Sequence, residues 1–358
     1  KRAEFQLFLQ SRKSLACPSC PIADKECIKI KEIKTYTCQL KQEIRGRLAD
    51  PEEDYYLKVM IQHTADRLGI CLHTFSGLVS LLLALKEDGV VTKKDLEVDI
   101  ETDASSMVRL LEMISQREGI GDLLAGGFPR LFEEFGDAAT RVAPHNKGRY
   151  LLWDARMRPM GTMEFGELTN FRGAHLQSGG SPSYVPGKTL QDFVRHADRM
   201  GAPPDVVKRV EREGFNPGRY TKYSEDWFSL FSSLGLCNRA FLNRFYSIGL
   251  IENLFSTLTG LNLEAQGLMS AAERGWNLLR ALNLMAGFTK KDDEPPDVWF
   301  MPLREEKMQW EIRDYFGEKI TKEDVDRLLQ DYYDERGWDQ KGMPTKEKLM
   351  ELGLEDVA

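Results

Sequence analysis

The chain has 358 residues with 42% hydrophobic and 29% charged residues, enough apolar content for a sizeable core in two domains or one large helical body. Its formal net charge of -7 argues against a general nucleic-acid binder. No apolar run reaches membrane-spanning length, and six cysteines are too few for a disulfide scaffold.

The first feature in chain order is "ACPSCPIADKEC", with Cys17, Cys20 and Cys27 inside eleven residues. A CxxC pair in a chain of this kind points to metal or redox chemistry. A tetrahedral zinc ion or a [4Fe–4S] cluster needs a fourth donor, and spacing alone leaves zinc and iron–sulfur both open. The fourth-ligand candidates are Cys71 in "DRLGIC" and Cys237 in "SSLGLC", two hexamers that share Leu-Gly-aliphatic-Cys. Cys38, in "KTYTCQLK", has no such setting and reads as a buried small apolar residue.

Strand signals are few, and helical periodicity dominates. "SSMVRLLEMISQ" puts Met107, Leu110, Leu111 and Ile114 on one helix face, capped by Ser105 or Ser106. A turn-rich gap follows at 177–188. The stretch "AAERGWNLLRALNLMAGF" predicts a helix ending at Gly287, before a second gap over 287–302. In that gap "KKDDEPP" reads as a solvated loop, and Trp299 and Phe300 read as core. "TKEDVDRLLQDYYDERG" opens on Thr321 and Asp324, close to a capping box, buries Tyr332 and Tyr333, and stops at Gly337. "PTKEKLMELGL" repeats that grammar from Thr345 to Gly353. The fold class is mostly α.

The ordered series "ADRLGICLHTFSGLVSLLLALKEDGVV", "GIGDLLAGGF", "PHNKG", "NFRGAHL", "SSLGLC" and "YYDERGWDQKGMPTKEKLMELGLEDV" resembles the C-terminal helical part of the tungsten-containing aldehyde ferredoxin oxidoreductases. The resemblance implies two multihelical domains, set here at 1–140 and 141–358. It implies a [4Fe–4S] cluster on Cys17, Cys20, Cys27 and Cys237. Asp24 stands where the third thiol more often lies. It implies a tungsten–bispyranopterin embraced by two motifs, Asp66, Gly69, Ile70 and Cys71 in the first, Ser232, Gly235, Leu236 and Cys237 in the second. Ser232 replaces the usual Asp, and Cys71 replaces the Asp that more often ends the first motif. Cys71 is then either a core residue or a soft ligand to the metal.

In "HNKG" the resemblance makes His145 an active-site proton donor or acceptor, because imidazole titrates near neutrality, and Lys147 a point charge on a cofactor phosphate. A glutamate often found near the metal is replaced by Thr37. His175 is structural as readily as catalytic, and His63 and His73 are not taken as ligands.

The implied activity is oxidation of an aldehyde to its acid, with electrons passing through the cluster to ferredoxin or an electron-transfer subunit. Alternatives are reduction of an acyl-CoA or aromatic substrate, as in benzoyl-CoA reductase, and a silent helical or zinc-binding scaffold. The family's N-terminal β-rich domain has no counterpart in this sequence. The chain begins at Lys1 rather than Met and is expected to be a fragment or a processed product, weak in holding tungstopterin alone. A cytoplasmic location and a homodimer complete the expectations.

Overall fold

The computed structural model describes residues 6, 10–18, 23, 25–37, 51–96, 105–172, 182–237, 245–301, 303–305 and 308–357. The chain is mostly helical and divides into two compact units, Lys1–Ala143 and Pro144–Ala358.

The first unit opens with an antiparallel meander that the sequence reading did not foresee. Its strands are β1 (Arg12–Leu15), β2 (Lys25–Ile30) and β3 (Ile33–Thr37), in the order β1-β2-β3. In β2 and β3 isoleucine and lysine point to opposite sides, so one face is apolar. Ile28 and Ile33 pack against Tyr55 and Val59 of α1 (Pro51–Leu68). The spacing of those two α1 residues places them on one helical face. A tight turn leads into α2 (Leu72–Glu87), whose leucines are buried on nearly every side. Shorter helices complete the unit: α3 (Lys93–Leu96), α4 (Ser105–Gln116), α5 (Ile120–Ala125), α6 (Gly127–Phe135) and α7 (Asp137–Val142). On α4 the predicted stripe Met107, Leu110, Leu111 and Ile114 is buried.

The second unit opens with a hairpin of β4 (His145–Asn146) and β5 (Arg149–Tyr150). It continues through α8 (Thr162–Thr169), α9 (Leu190–Arg199), α10 (Pro204–Glu213), α11 (Pro217–Ser233), α12 (Ile248–Thr259) and α13 (Ala265–Met285). A small hairpin, β6 (Leu303–Glu305) and β7 (Met308–Trp310), precedes α14 (Lys322–Arg336) and α15 (Lys346–Glu351).

Helix α11 is the axis of this unit. Asn216 caps it, accepting from the Arg219 N–H, and Pro217 takes a first-turn position where no donor is needed. Its Trp227 and Phe231 are fully buried in a core shared with Leu268, Met269 and Ala272 of α13. A second core gathers Trp276, Trp299, Tyr332 and Tyr333. Between them runs a buried ion cluster. Arg336, with no exposed surface, donates to Asp226 at 2.5 Å and to Glu225 at 2.7 Å. Lys222 joins Asp226 at 3.1 Å and Glu273 at 3.0 Å. Among the described residues no single helix is long and apolar enough to cross a membrane.

Candidate cofactor site

The two Leu-Gly-aliphatic-Cys hexamers adopt the same backbone turn. At the end of α1, the Gly69 N–H donates to the Asp66 carbonyl at 3.2 Å and the Ile70 N–H to the Ala65 carbonyl at 2.9 Å. At the end of α11, the Gly235 N–H donates to the Ser232 carbonyl at 3.2 Å and the Leu236 N–H to the Phe231 carbonyl at 2.8 Å. This is the six-to-one plus five-to-two closure of a Schellman cap, with glycine in the left-handed region at φ +70° and +68°. An L side chain is strained there, which accounts for glycine at both positions. A Cβ on either glycine meets no atom within 4 Å, so both turns present open backbone. Each cap delivers an exposed cysteine directly after it, Cys71 and Cys237.

The first cap carries a preset carboxylate. Gln62 Nε2 donates to Asp66 Oδ1 at 3.0 Å and Thr35 Oγ1 to Oδ2 at 3.4 Å. At the second cap the equivalent residue is Ser232, exposed and without a carboxylate. Cys71 also serves as the N-cap of α2 in extended backbone, and its side chain makes no capping hydrogen bond.

Cys17 is exposed just beyond β1. Cys27 does not share its loop, as the spacing had implied, but lies inside β2 facing Lys13 and Tyr36. Lys13 is four residues before Cys17, a rise of roughly 13 Å in extended chain. Cys20, Asp24, Cys38 and His175 lie outside the described residues. Among the described residues no three His, Cys, Asp or Glu side chains gather as a metal group. Cys17, Cys27, Cys71 and Cys237 are free thiols, the soft donor type that iron–sulfur clusters take. The two open glycine turns leave room for a flat ring at the backbone. The donor set and the turns thus fit the groups that the resemblance implies.

The "HNKG" segment is a two-residue hairpin. His145 pairs with Tyr150 and Asn146 with Arg149, and Lys147 and Gly148 take φ of +50° and +70°. Two positive φ values define a type I′ turn, costly for lysine. The turn is clamped from outside. Asn146 Nδ2 donates to the Asp292 carbonyl at 2.8 Å. Lys147 Nζ meets Asp293 Oδ1 at 2.8 Å, the Leu168 carbonyl at 2.5 Å and Asn146 Oδ1 at 3.1 Å. The ammonium thus has two hydrogen bonds and an ion pair inside the protein. Lys147 is therefore the internal counter-ion of Asp293, not a surface charge waiting for a phosphate.

Asp293 also pairs with the Arg280 guanidinium at 2.8 Å and accepts from the Tyr333 hydroxyl at 2.7 Å. Burial opposes its ionisation, but the Lys147 and Arg280 cations outweigh burial and hold its carboxyl below the usual range. The "KKDDEPP" segment is thus not simply a solvated loop: Asp292 caps the turn at Thr289, and Asp293 is fully buried. The Thr289–Asp292 capping pair was visible in the sequence, but the partners of Asp293 were not.

Burial pushes the His145 imidazole down to about 4, so the ring is neutral at neutral pH. That corrects the expectation of titration near neutrality. His63 and His73 are half-buried on α1 and α2, and Thr37 ends β3.

A family model described as aldehyde ferredoxin oxidoreductase, domains 2 and 3, matches residues 3–354. The chain belongs to the aldehyde ferredoxin oxidoreductase family. It is similar to the tungsten-containing aldehyde ferredoxin oxidoreductase of Pyrococcus abyssi, 27% identical over 306 residues, which are 82% of this chain and 45% of that protein. It is also similar to the WOR-like subunit of an aliphatic sulfonate oxidoreductase of Pyrococcus furiosus, 25% identical over 316 residues, covering 85% of this chain and 43% of that one. The chain therefore spans less than half the length of these relatives. Among solved structures, the active-site complex BamBC of benzoyl coenzyme A reductase, solved with 1,5-dienoyl-CoA, superposes with a TM-score of 0.74. That match covers 99% of this chain and 55% of the other at 21% identity, a likeness of fold.

Proposed function

We propose that this member of the family is the helical part of a tungsten–bispterin oxidoreductase that oxidises an aldehyde to a carboxylic acid and passes the electrons through a [4Fe–4S] cluster to ferredoxin. The observation that carries this reading is the repeated glycine cap, open at Gly69 and again at Gly235, in a chain whose family match runs from residue 3 to 354.

Asp66 would accept ring N–H groups of one pterin, and the open backbone at Gly69, Ile70 and Cys71 would face it. Gly235 and Leu236 serve the second pterin, with the Ser232 hydroxyl in place of a carboxylate. Cys17, Cys20, Cys27 and Cys237 are the cluster thiolates in this reading. Tungsten, when bound there, would supply the two-electron chemistry. His145 offers a neutral ring nitrogen as hydrogen-bond acceptor. With a pKa near 4 it releases at once any proton it takes up. Conversion of an aldehyde and water to the acid releases two electrons and two protons, which fixes what the site must export. Lys147 and Asp293 hold the hairpin that presents His145.

One observation favours a second reading, reduction of an acyl-CoA or aromatic substrate: the exposed Cys71 thiol stands where the motif more often ends in a carboxylate. A thiolate is a soft donor that suits tungsten. The test is to produce the chain anaerobically, alone and together with the further segment its relatives carry. Tungsten is then measured, and viologen-linked activity with aldehydes and with acyl-CoA thioesters. Tungsten with aldehyde activity is expected from the combined sample. Tungsten with thioester activity alone selects the second reading, and a combined sample without tungsten sinks both.

A further inference from the structure

The alternation of β1–β3 that buries Ile28, Ile33 and Thr35 sends their neighbours to the opposite face. The register places Lys13 beside Cys27, Cys27 beside Tyr36, and Lys29 directly opposite Lys34. Lys25 shares that face, two residues from Cys27. No Asp or Glu occupies a described strand position of the face. Lys13, Lys29 and Lys34 are exposed, and Tyr36 is 58% exposed with the Lys34 ammonium 5.3 Å from its ring.

Four lysines on one small face are a concentration in a chain of net charge -7. Like charges directly opposite each other on neighbouring strands are destabilising, as Lys29 and Lys34 are here. Lysines often guard sheet edges against aggregation, but Lys29 lies on the central strand. Edge protection therefore does not account for it, whereas a negatively charged partner relieves the repulsion.

We propose that this lysine face docks an acidic electron-carrier protein. The proposal rests on the reading above that the β1–β2 connection carries an electron-transfer cluster. Cys17 follows the last residues of β1, and Cys27 lies among the lysines, so a carrier seated on this face is next to two of the thiols that the reading assigns to the cluster. Each docked carrier takes one electron from the cluster, so a two-electron oxidation is cleared in two encounters. Complementary charge chiefly raises the encounter rate and is screened by salt.

The experiment titrates the full chain with a strongly acidic [4Fe–4S] ferredoxin by calorimetry at low and high salt. The variants are K13E/K29E/K34E and, as a control of equal charge change, K208E/K341E/K346E at exposed positions of the second unit. A Lys29→Gln/Lys34→Gln variant guards against misfolding, since it removes the repulsion and keeps the sheet. The wild type is expected to weaken about tenfold between low and high salt, with a loss of similar size in the triple Glu variant, a smaller loss in the Gln variant, and little change in the control. Equal binding by the triple Glu variant and the wild type overturns the proposal, as does an equal loss in the control. Iron is measured on the same samples. Unchanged binding by an iron-loaded triple variant sinks the docking face alone. An iron-free chain sinks the electron-transfer reading, and loss of binding confined to the lysine face still supports the charge recognition.

Discussion

The Lys147 ammonium lies 2.8 Å from Asp293 Oδ1, and each side chain is about 1% exposed. The pair joins a strained hairpin turn to a segment more than a hundred residues away. Removing one partner of a buried pair leaves an uncompensated charge, which costs more than the pair itself contributes. Asp293→Asn strands both Lys147 and Arg280 and is expected to destabilise the second unit by about 3–5 kcal/mol. Lys322→Ala, which breaks an exposed pair with Asp297 at 3.0 Å, is expected to cost under about 1 kcal/mol. Denaturant unfolding of the two variants checks the contrast.

His145 gives a pH dependence with a definite sign. Its folded pKa of about 4 lies below the ordinary 6.5, so between those values the unfolded chain binds more protons than the folded one. Its contribution is complete above pH 6.5 and is lost as pH falls toward 4, by roughly 3 kcal/mol in all. His145→Gln is expected to flatten that part of the profile. Unfolding free energies of wild type and variant at pH 7, 5.5 and 4.5 measure it, and histidine NMR titration reads the pKa directly.

Arg336 closes the other buried network, with Asp226 and Glu225 on its guanidinium and the Tyr332 hydroxyl accepting from its Nε at 3.0 Å. Burial pushes the Glu225 carboxyl up to about 7 despite Arg336 beside it. Arg336→Met leaves Glu225 without its cation and Asp226 with Lys222 alone, and is expected to cost about 3–5 kcal/mol at neutral pH. Arg336→Lys does not restore it, because one ammonium cannot reproduce the planar fork. The loss in Arg336→Met is expected to shrink at lower pH as Glu225 takes up a proton. Unfolding at pH 7.5 and 6 reads the difference.

Much of the helical fold was legible in local grammar. Thr321 and Asp324 form the reciprocal cap that their spacing suggested, and Gly337 ends α14 in the left-handed conformation. Thr345 caps α15, and Tyr332, Tyr333 and Trp299 are core. These signals are short-range, so one sequence displays them. The meander was not foreseen, because its strands have four to six residues and β1 buries almost nothing. Its period-two alternation of lysine and isoleucine was visible, but too brief to outweigh helical periodicity elsewhere. The role of Asp293 was hidden for another reason: its cations, Lys147 and Arg280, lie far away in sequence, and nothing local announces a long-range ion pair. The glycine caps were found through the repeated hexamers, whereas their open surface required coordinates.

That openness yields a separate prediction. With nothing within 4 Å of a Cβ at Gly69 or Gly235, Gly→Ala at either position costs only the strain of an L residue in the left-handed region, about 1–2 kcal/mol. Gly→Asn is expected to cost less, because asparagine tolerates the left-handed region. If the open turns seat pterin rings, tungsten retention by the chain combined with the segment its relatives carry falls in both alanine variants by more than this stability loss explains. Equal tungsten in wild type and variants separates the caps from cofactor binding.

In the proposed reading Cys17, Cys20 and Cys27 hold one iron–sulfur cluster together with Cys237. The most direct measurement is iron and acid-labile sulfide per chain after anaerobic purification, for wild type and Cys237→Ser. About four irons and four sulfides per wild-type chain, bleached by dithionite and lost in Cys237→Ser, are predicted. A colourless chain with one zinc, or a Cys237→Ser variant that keeps its full iron, would contradict the account.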